Sequence, residues 1–357
     1  MKKLLYISDC FVDSTVFESQ VHTICNEHSK SYDVTLLALC NASEMIKEGL
    51  DNTTYRLVKY KKPPKLFIPF MQQVAILTFK YIELFREADV IHCRGHIGSA
   101  FAININHKYQ LNKKIISDIR GAIPEEIYFK HGFAHSFFSK QASKLEKFIF
   151  ENSDYFFFVS ENMKEYYSEK YHIDSSRNSV FPTIVNERYF FYSAEKRNKF
   201  RSLLKLQNKF VYIYVGGIDK WQRLDEIIQT FDNLKNDDLY LLIITTDPSY
   251  VNKLLLDLRI NSNNILVTTS KYEDVPNYLN ASDAGLIIRE NNIINHVASP
   301  TKVNEYLSCG LKIVDRLDKI GDISYSKKNV KYMPLQSILK QQSEIYNKLG
   351  EKNETNS

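Results

Sequence analysis

Twelve residues, Ser299-Pro300-Thr301-Lys302-Val303-Asn304-Glu305-Tyr306-Leu307-Ser308-Cys309-Gly310, set a lysine and a glutamate three positions apart at what reads as the start of a helix. Ser299 suits an N-cap, Pro300 the first turn, Val303, Tyr306 and Leu307 an inward stripe, and Gly310 the C′ position. Free N–H groups of a first turn, the helix dipole and Lys302 together make a phosphate site. Glu305 lies one turn beyond Thr301 on the same face, about 6 Å along the axis, where a carboxylate can accept from ribose hydroxyls. A well-capped helix carrying a solvated glutamate satisfies the same spacing.

The second chemical segment is Val215-Gly216-Gly217-Ile218-Asp219-Lys220-Trp221-Gln222-Arg223, between a strand-like run and a helical one. Paired glycines let a loop approach a ligand, and Lys220 and Arg223 can neutralise a diphosphate. Neither G-x-G-x-x-G nor G-x-x-x-x-G-K-[ST] is present, which argues against a dinucleotide fingerprint and an ATPase loop. A tight turn with exposed charges is the plainer reading. His92 with His96 and His131 with His135 are four apart, but no glutamate completes a metalloprotease motif, so loop or surface histidines are expected. Lys59, Lys61, Lys62 and Lys65 precede Leu66, Phe67, Ile68 and Phe70, and Phe133, Phe137 and Phe138 lie near Lys130, Lys140 and Lys144. Basic groups beside apolar ones suit an anionic membrane surface, although a solvated face over a buried stripe fits either segment alone.

The elements that must carry these residues alternate. Lys2 to Ser8, Asp33 to Cys40, Ala88 to Cys93, Lys114 to Ile119 and Asp154 to Ser160 are nearly continuous apolar runs, the pattern of parallel strands covered on both faces. Helical spacing separates them, as in Phe70 to Arg86. The rhythm restarts with Phe210 to Val215, Leu239 to Thr245, Asn264 to Val267, Ala284 to Ile288 and Lys312 to Val314. This predicts an α/β protein of two doubly wound domains facing a shared cleft, the place where such sheets bind ligands. The expected division is 1–183, a connection over 184–208, a second domain over 209–349 and a polar tail over 350–357.

Apolar residues at 44% and charged ones at 25% allow real cores and exclude a mostly disordered chain. A net charge of +5 over 357 residues is too small for a dedicated nucleic-acid binder. Five cysteines without a C-x-x-C pair fit a reduced, cytoplasmic compartment, and no run is apolar and long enough to span a membrane.

Ala281-Ser282-Asp283-Ala284-Gly285-Leu286-Ile287-Ile288-Arg289, followed by the Ser299 to Gly310 segment, resembles the donor-binding signature of GT-B glycosyltransferases of family 4. Val215 to Trp221 resembles the Gly-Gly loop of one subgroup. Phe158-Val159-Ser160-Glu161 and Val180-Phe181-Pro182-Thr183 resemble the segments leading to the hinge, and Asp89 to His92 and Ser117 to Gly121 resemble strand ends on the acceptor side. The resemblance runs over about residues 1 to 315. It implies an N-terminal acceptor-binding domain and a C-terminal nucleotide-sugar domain. It gives Lys220 and Arg223 to the donor diphosphate, with Gly216, Gly217, Ser299, Pro300, Thr301 and Lys302 around it. Glu305 goes to the ribose and Arg289 beside the sugar or phosphate, while Asp118 and Arg120 stand as acceptor-side catalytic residues.

These expectations combine into a retaining hexosyltransferase that moves a sugar from a nucleotide diphosphate donor to a lipid-linked glycan in surface polysaccharide biosynthesis. It would work in the cytoplasm, peripherally on the inner face of the membrane. No Asp-x-Asp pair is present, so cations replace a metal and no cofactor beyond the nucleotide sugar is expected. The family's glutamate eight positions before Glu305 is Val297 here, the paired glycines of its N-terminal loop read Asp13-Ser14-Thr15, and the strand end that often bears a histidine reads Asp118-Ile119-Arg120. A sugar-nucleotide epimerase and a non-catalytic nucleotide-sugar-binding subunit are the alternatives.

Overall fold

The computed structural model describes residues 1–12, 14–40, 54–61, 81–131, 136–218, 222–327 and 332–351. Among them the chain divides into two compact units. The first takes Met1–Pro182, His296–Ser299 and the chain from Pro334; the second takes Thr183–Asn295 and Pro300–Met333.

Seven parallel strands build the first unit in the order β3-β2-β1-β4-β5-β6-β7. They are β1 (Lys3–Phe11), β2 (Asp33–Cys40), β3 (Arg56–Lys61), β4 (Val90–Arg94), β5 (Ile115–Ile119), β6 (Tyr155–Phe158) and β7 (Asn178–Val180). The five apolar runs expected here are strands, buried as parallel strands covered by helices must be. Neither edge strand is anticipated by the sequence pattern: β3 carries lysines at alternate positions, and β7 has three residues. Of the expected Phe70 to Arg86 helix, residues 70–80 lie outside the described residues, and Ile82–Glu87 is helical.

The second unit has the order β10-β9-β8-β11-β12, again parallel: β8 (Phe210–Val215), β9 (Leu239–Ile244), β10 (Ile265–Thr268), β11 (Ala284–Leu286) and β12 (Lys312–Val314). Alternation along the strands splits its core in two. Tyr212, Tyr214, Leu241 and Ile243 join one cluster and Val211, Ile213, Val215, Leu242 and Ile244 the other. Both sheets reverse strand order beside their first strand, between β1 and β4 and between β8 and β11, and ligands bind at such switch points beyond the carboxyl ends.

Two features depart from the expected division. The segment 184–208 is part of the second unit, held there by Asp283. That carboxylate accepts from Arg197 Nη2 at 2.5 Å, Arg201 Nη1 at 3.2 Å and the Val211 N–H at 2.8 Å, fastening the Ala194–Leu203 helix to β8. The last helix, Leu335–Gly350, belongs to the first unit instead of the second, so 335–349 do not complete the 209–349 domain. Its buried face explains this. Tyr346 Oη lies 2.6 Å from His92 Nδ1, and Gln342 Oε1 accepts from His28 Nε2 at 2.9 Å.

Candidate functional site

At the carboxyl ends of β8 and β11, three of the predicted segments come together. The Thr301–Ser308 helix is pinned there by Tyr306, fully buried, whose Oη accepts from the Val215 N–H at 3.0 Å. Its ring lies over β11, where a Cβ on Gly285 would come within 2.0 Å of Tyr306 Cδ2, so only glycine fits beneath it. Ser299 does not cap this helix: Pro300, with φ −64° and ψ 124°, is the N-cap residue and offers no side-chain acceptor, which leaves first-turn N–H groups for other partners. Gly310 follows the C-cap at φ 82°, as the spacing predicts.

Glu305 is 1% exposed, which removes the reading as a solvated residue. Its Oε2 is 2.7 Å from Lys302 Nζ, so the two groups expected to meet ribose and phosphate hold each other. Asn304, beside them, donates to the Thr183 carbonyl at 2.5 Å. Arg289, just beyond β11, is mostly buried, and burial lowers its pKa against the pull of Tyr214 and Tyr306. Its guanidinium reaches Asn295 Oδ1 only at 3.4 Å, so little competes with a ligand for it.

In the Gly-Gly loop, Tyr214 Oη donates to the Gly217 carbonyl and meets Gln222 Oε1, closing the turn over Gly216. Lys220 lies outside the described residues. Arg223 is in the left-handed region at φ 52° and makes two 2.6 Å bonds to Glu226, so a diphosphate would have to share it with that carboxylate.

The first unit carries a second cluster at its own switch point. Asp118, at the end of β5, is fully buried. Its Oδ2 lies 2.5 Å from Arg120 Nη2, 3.3 Å from His92 Nε2 and 3.6 Å from Arg94 Nη1. Burial alone would raise its pKa, but Arg120, His92 and Arg94 outweigh that and hold it at about 2. His92 Nε2 faces that carboxylate at 3.3 Å without a hydrogen bond, and its Nδ1 is 2.6 Å from Tyr346 Oη. His96 is buried as well, 3.3 Å from Glu146 Oε2, and Glu146 also takes bonds from Tyr167, Lys170 and Tyr171 at 2.7 to 2.8 Å. His92 and His96 are therefore core residues with carboxylate partners, a correction to the expected surface histidines. Those partners lie 26 and 50 residues away in sequence, and spacing gives no sign of them. His135 lies outside the described residues, among which no metal-binding group of His, Cys, Asp and Glu occurs.

Val297 is fully buried, and its carbonyl accepts from Ser160 Oγ at 2.7 Å while the same Oγ caps the Glu161–Tyr171 helix. The position where the family carries a glutamate is thus apolar core.

Comparison with known proteins agrees with this layout. No curated protein matches the chain. The fold is shared with sucrose-phosphate synthase from Thermosynechococcus elongatus at TM-score 0.71 and 12% identity, covering 98% of this chain and 99% of that one. Anabaena HepE in complex with UDP and glucose gives 0.63 and 12%, covering 98% and 89%. The lipopolysaccharide outer core galactosyltransferase WaaB gives 0.64 and 13%, covering 97% and 99%. Residues 17–189 match the family Glycosyltransferase Family 4, and residues 195–314 match Glycosyl transferases group 1. These two matches take in most of the sequence, one on each parallel-sheet unit, and the chain is a glycosyltransferase of the two-domain, Rossmann-like GT-B fold.

Proposed function

We propose that this glycosyltransferase is a retaining, metal-independent hexosyltransferase that takes a sugar from a nucleoside diphosphate and adds it to a lipid-linked glycan of a surface polysaccharide. The observation that carries the reading is the convergence of the Gly216–Gly217 turn, Arg289 and the Thr301–Ser308 helix at one switch point. Complexes of HepE with UDP and the lipopolysaccharide role of WaaB support the donor and acceptor classes. As the sugar–oxygen bond breaks, negative charge grows on the departing diphosphate, and Arg289, Lys302, Lys220, Arg223 and the free N–H groups of the helix start meet it. The Lys302–Glu305 pair holds both side chains ready before the donor arrives; on binding, the lysine turns to phosphate and the glutamate to ribose. Asp118, kept ionised, is a poor base near neutrality. Its part on the acceptor side is to hold Arg120.

Attachment to the inner face of a membrane belongs to the same reading. Of the lysine-rich stretch expected to do this, residues 62–80 lie outside the described residues. Of the second expected segment, Phe137 and Phe138 on the Ser136–Asn152 helix are exposed beside Lys140 and Lys144, and Phe133 lies outside the described residues; Tyr128 and Phe129 on the Ile123–His131 helix are exposed as well. No helix among the described residues is long and apolar enough to cross a membrane.

Incubation with a panel of nucleotide sugars tests the reading. Slow hydrolysis that accelerates with an acceptor, with the product anomer matching the donor by NMR, is the expected result. Interconversion of the free donor would make the protein an epimerase, and binding with no turnover a non-catalytic subunit.

A further inference from the structure

In the cluster around Asp118, unmet groups on Arg94, Arg120, Tyr6 and His92 outnumber the one unmet carboxylate oxygen, Asp118 Oδ1. Arg94, 4% exposed, has no hydrogen-bond acceptor for Nε or Nη1, and Nη1 stands 3.6 Å from Asp118, too far for a bond. Arg120 spends Nη2 on Asp118 and leaves Nε unmet, and the fully buried Tyr6 Oη has no partner either. Tyr6 lies in the field of both guanidiniums. Asp9, the other carboxylate nearby, lies against Gly95, where a Cβ would fall 2.0 Å from its Oδ2. That carboxylate lies in the field of His96 and Arg94 and also takes the Ile97 N–H at the start of the His96–Lys108 helix, while Arg94 has Cys10 as a further neighbour.

Register explains how these groups meet. Tyr6 pairs with His92 and Ser8 with Arg94 across β1 and β4, and Arg94 pairs with Asp118 across β4 and β5, so Arg94 and Asp118 stand near the carboxyl ends of their strands with Tyr6 and His92 two residues further back on the same face. Arg94 and Tyr6 form a floor. Arg120, Asp9 and Cys10 form a part-exposed rim. Buried charged donors without acceptors are strongly unfavourable, and two guanidiniums that each turn one Nη toward Asp118 Oδ2 and leave Nε unmet can offer those remaining groups to the oxygens of a phosphate.

We propose that Arg94, Arg120 and Tyr6 form a pocket for a phosphate group carried by the sugar-accepting substrate. The inference rests on the transferase reading, with the first unit taking the acceptor. The phosphate can belong to a sugar phosphate or to the diphosphate of a lipid carrier.

Isothermal titration with inorganic phosphate decides, using wild type, Arg94→Gln, Arg120→Gln and Lys302→Ala, each checked for folding by circular dichroism. Arg120→Gln, at the rim, keeps the test alive if Arg94→Gln fails to fold. At least tenfold weaker phosphate binding is expected in the folded arginine variants made in the Lys302→Ala background, where the donor site's own phosphate contact is gone. Unchanged affinity in them, or loss of all phosphate binding in Lys302→Ala alone, overturns the pocket. Competition by glucose 6-phosphate marks a sugar phosphate, and competition by farnesyl diphosphate a lipid carrier. Displacement of phosphate by neither overturns the acceptor role. Nucleotide-sugar binding is titrated separately: its absence defeats the transferase reading, and its presence without an arginine effect defeats only the pocket.

Discussion

Buried ionisable side chains set a pH dependence of stability whose sign can be worked out. Asp118 and Glu146 both have native pKa values of about 2, below the ordinary 3.8 and 4.5. For Glu146, too, burial pushes upward and the bonds from His96 and Lys170 prevail. Burial lowers His28 from 6.5 to about 4, against the pull of its bond to Gln342. All three native values lie below the unfolded ones, so each contribution is complete above the unfolded pKa and is lost as pH falls toward the native one. Urea midpoints should therefore decline from pH 6.5 to 4 through His28, by about 3 kcal/mol at most, and more steeply below 4.5. His28→Gln should flatten the upper part, and a flat profile in wild type between pH 6.5 and 3 would refute the assignment. At this scale the sequence showed which residues had chemical potential but not their neighbours. Glu305 and Arg289 stand out by motif, whereas the partners of His92 and His96 come from other strands and helices.

Helices and strands do the positioning, and here the sequence was most legible. Nearly continuous apolar runs announced ten of the strands, and the helix after Pro300 follows from its stripe and its glycine stop. What spacing could not convey is why particular motif residues are present. Gly285 makes room for the Tyr306 ring, and Asp283 clamps a helix to β8. Gly285→Ala should push that ring, and with it the Thr301–Ser308 helix, out of place, lowering the melting temperature and donor affinity together. Tyr306→Phe, which keeps the ring but loses the bond to the Val215 N–H, should cost about 1 kcal/mol. Calorimetry on both variants separates the effects. A Gly285→Ala protein as stable and as tight for donor as wild type would show that the helix is held by other contacts.

For the whole molecule, the chain's path matters as much as its sheets. After completing β12 it returns to the first unit, where the Leu335–Gly350 helix covers His28 and His92. The sequence gives no sign of this, because an amphipathic helix following β12 reads equally well as part of the nearer sheet. Truncation before Leu335 should unfold the first unit preferentially, seen as lost hydrogen-exchange protection in β1 and β4 with β8 and β9 still protected; equal protection in both units would contradict the docking. Sedimentation with anionic vesicles should fall when Phe137 and Phe138 are changed to Ser and when salt is raised, and unaltered pelleting would assign the aromatic patch another purpose. In the proposed function the switch point of the second sheet holds a nucleotide sugar through the Lys302–Glu305 pair, and calorimetric titration of wild type and Glu305→Ala with UDP-, GDP- and ADP-sugars measures that contact. At least one donor should bind wild type and bind the folded variant about 1 to 3 kcal/mol more weakly, the cost of a lost charged acceptor; equal affinity in the two proteins, or no binding by any donor, would contradict it.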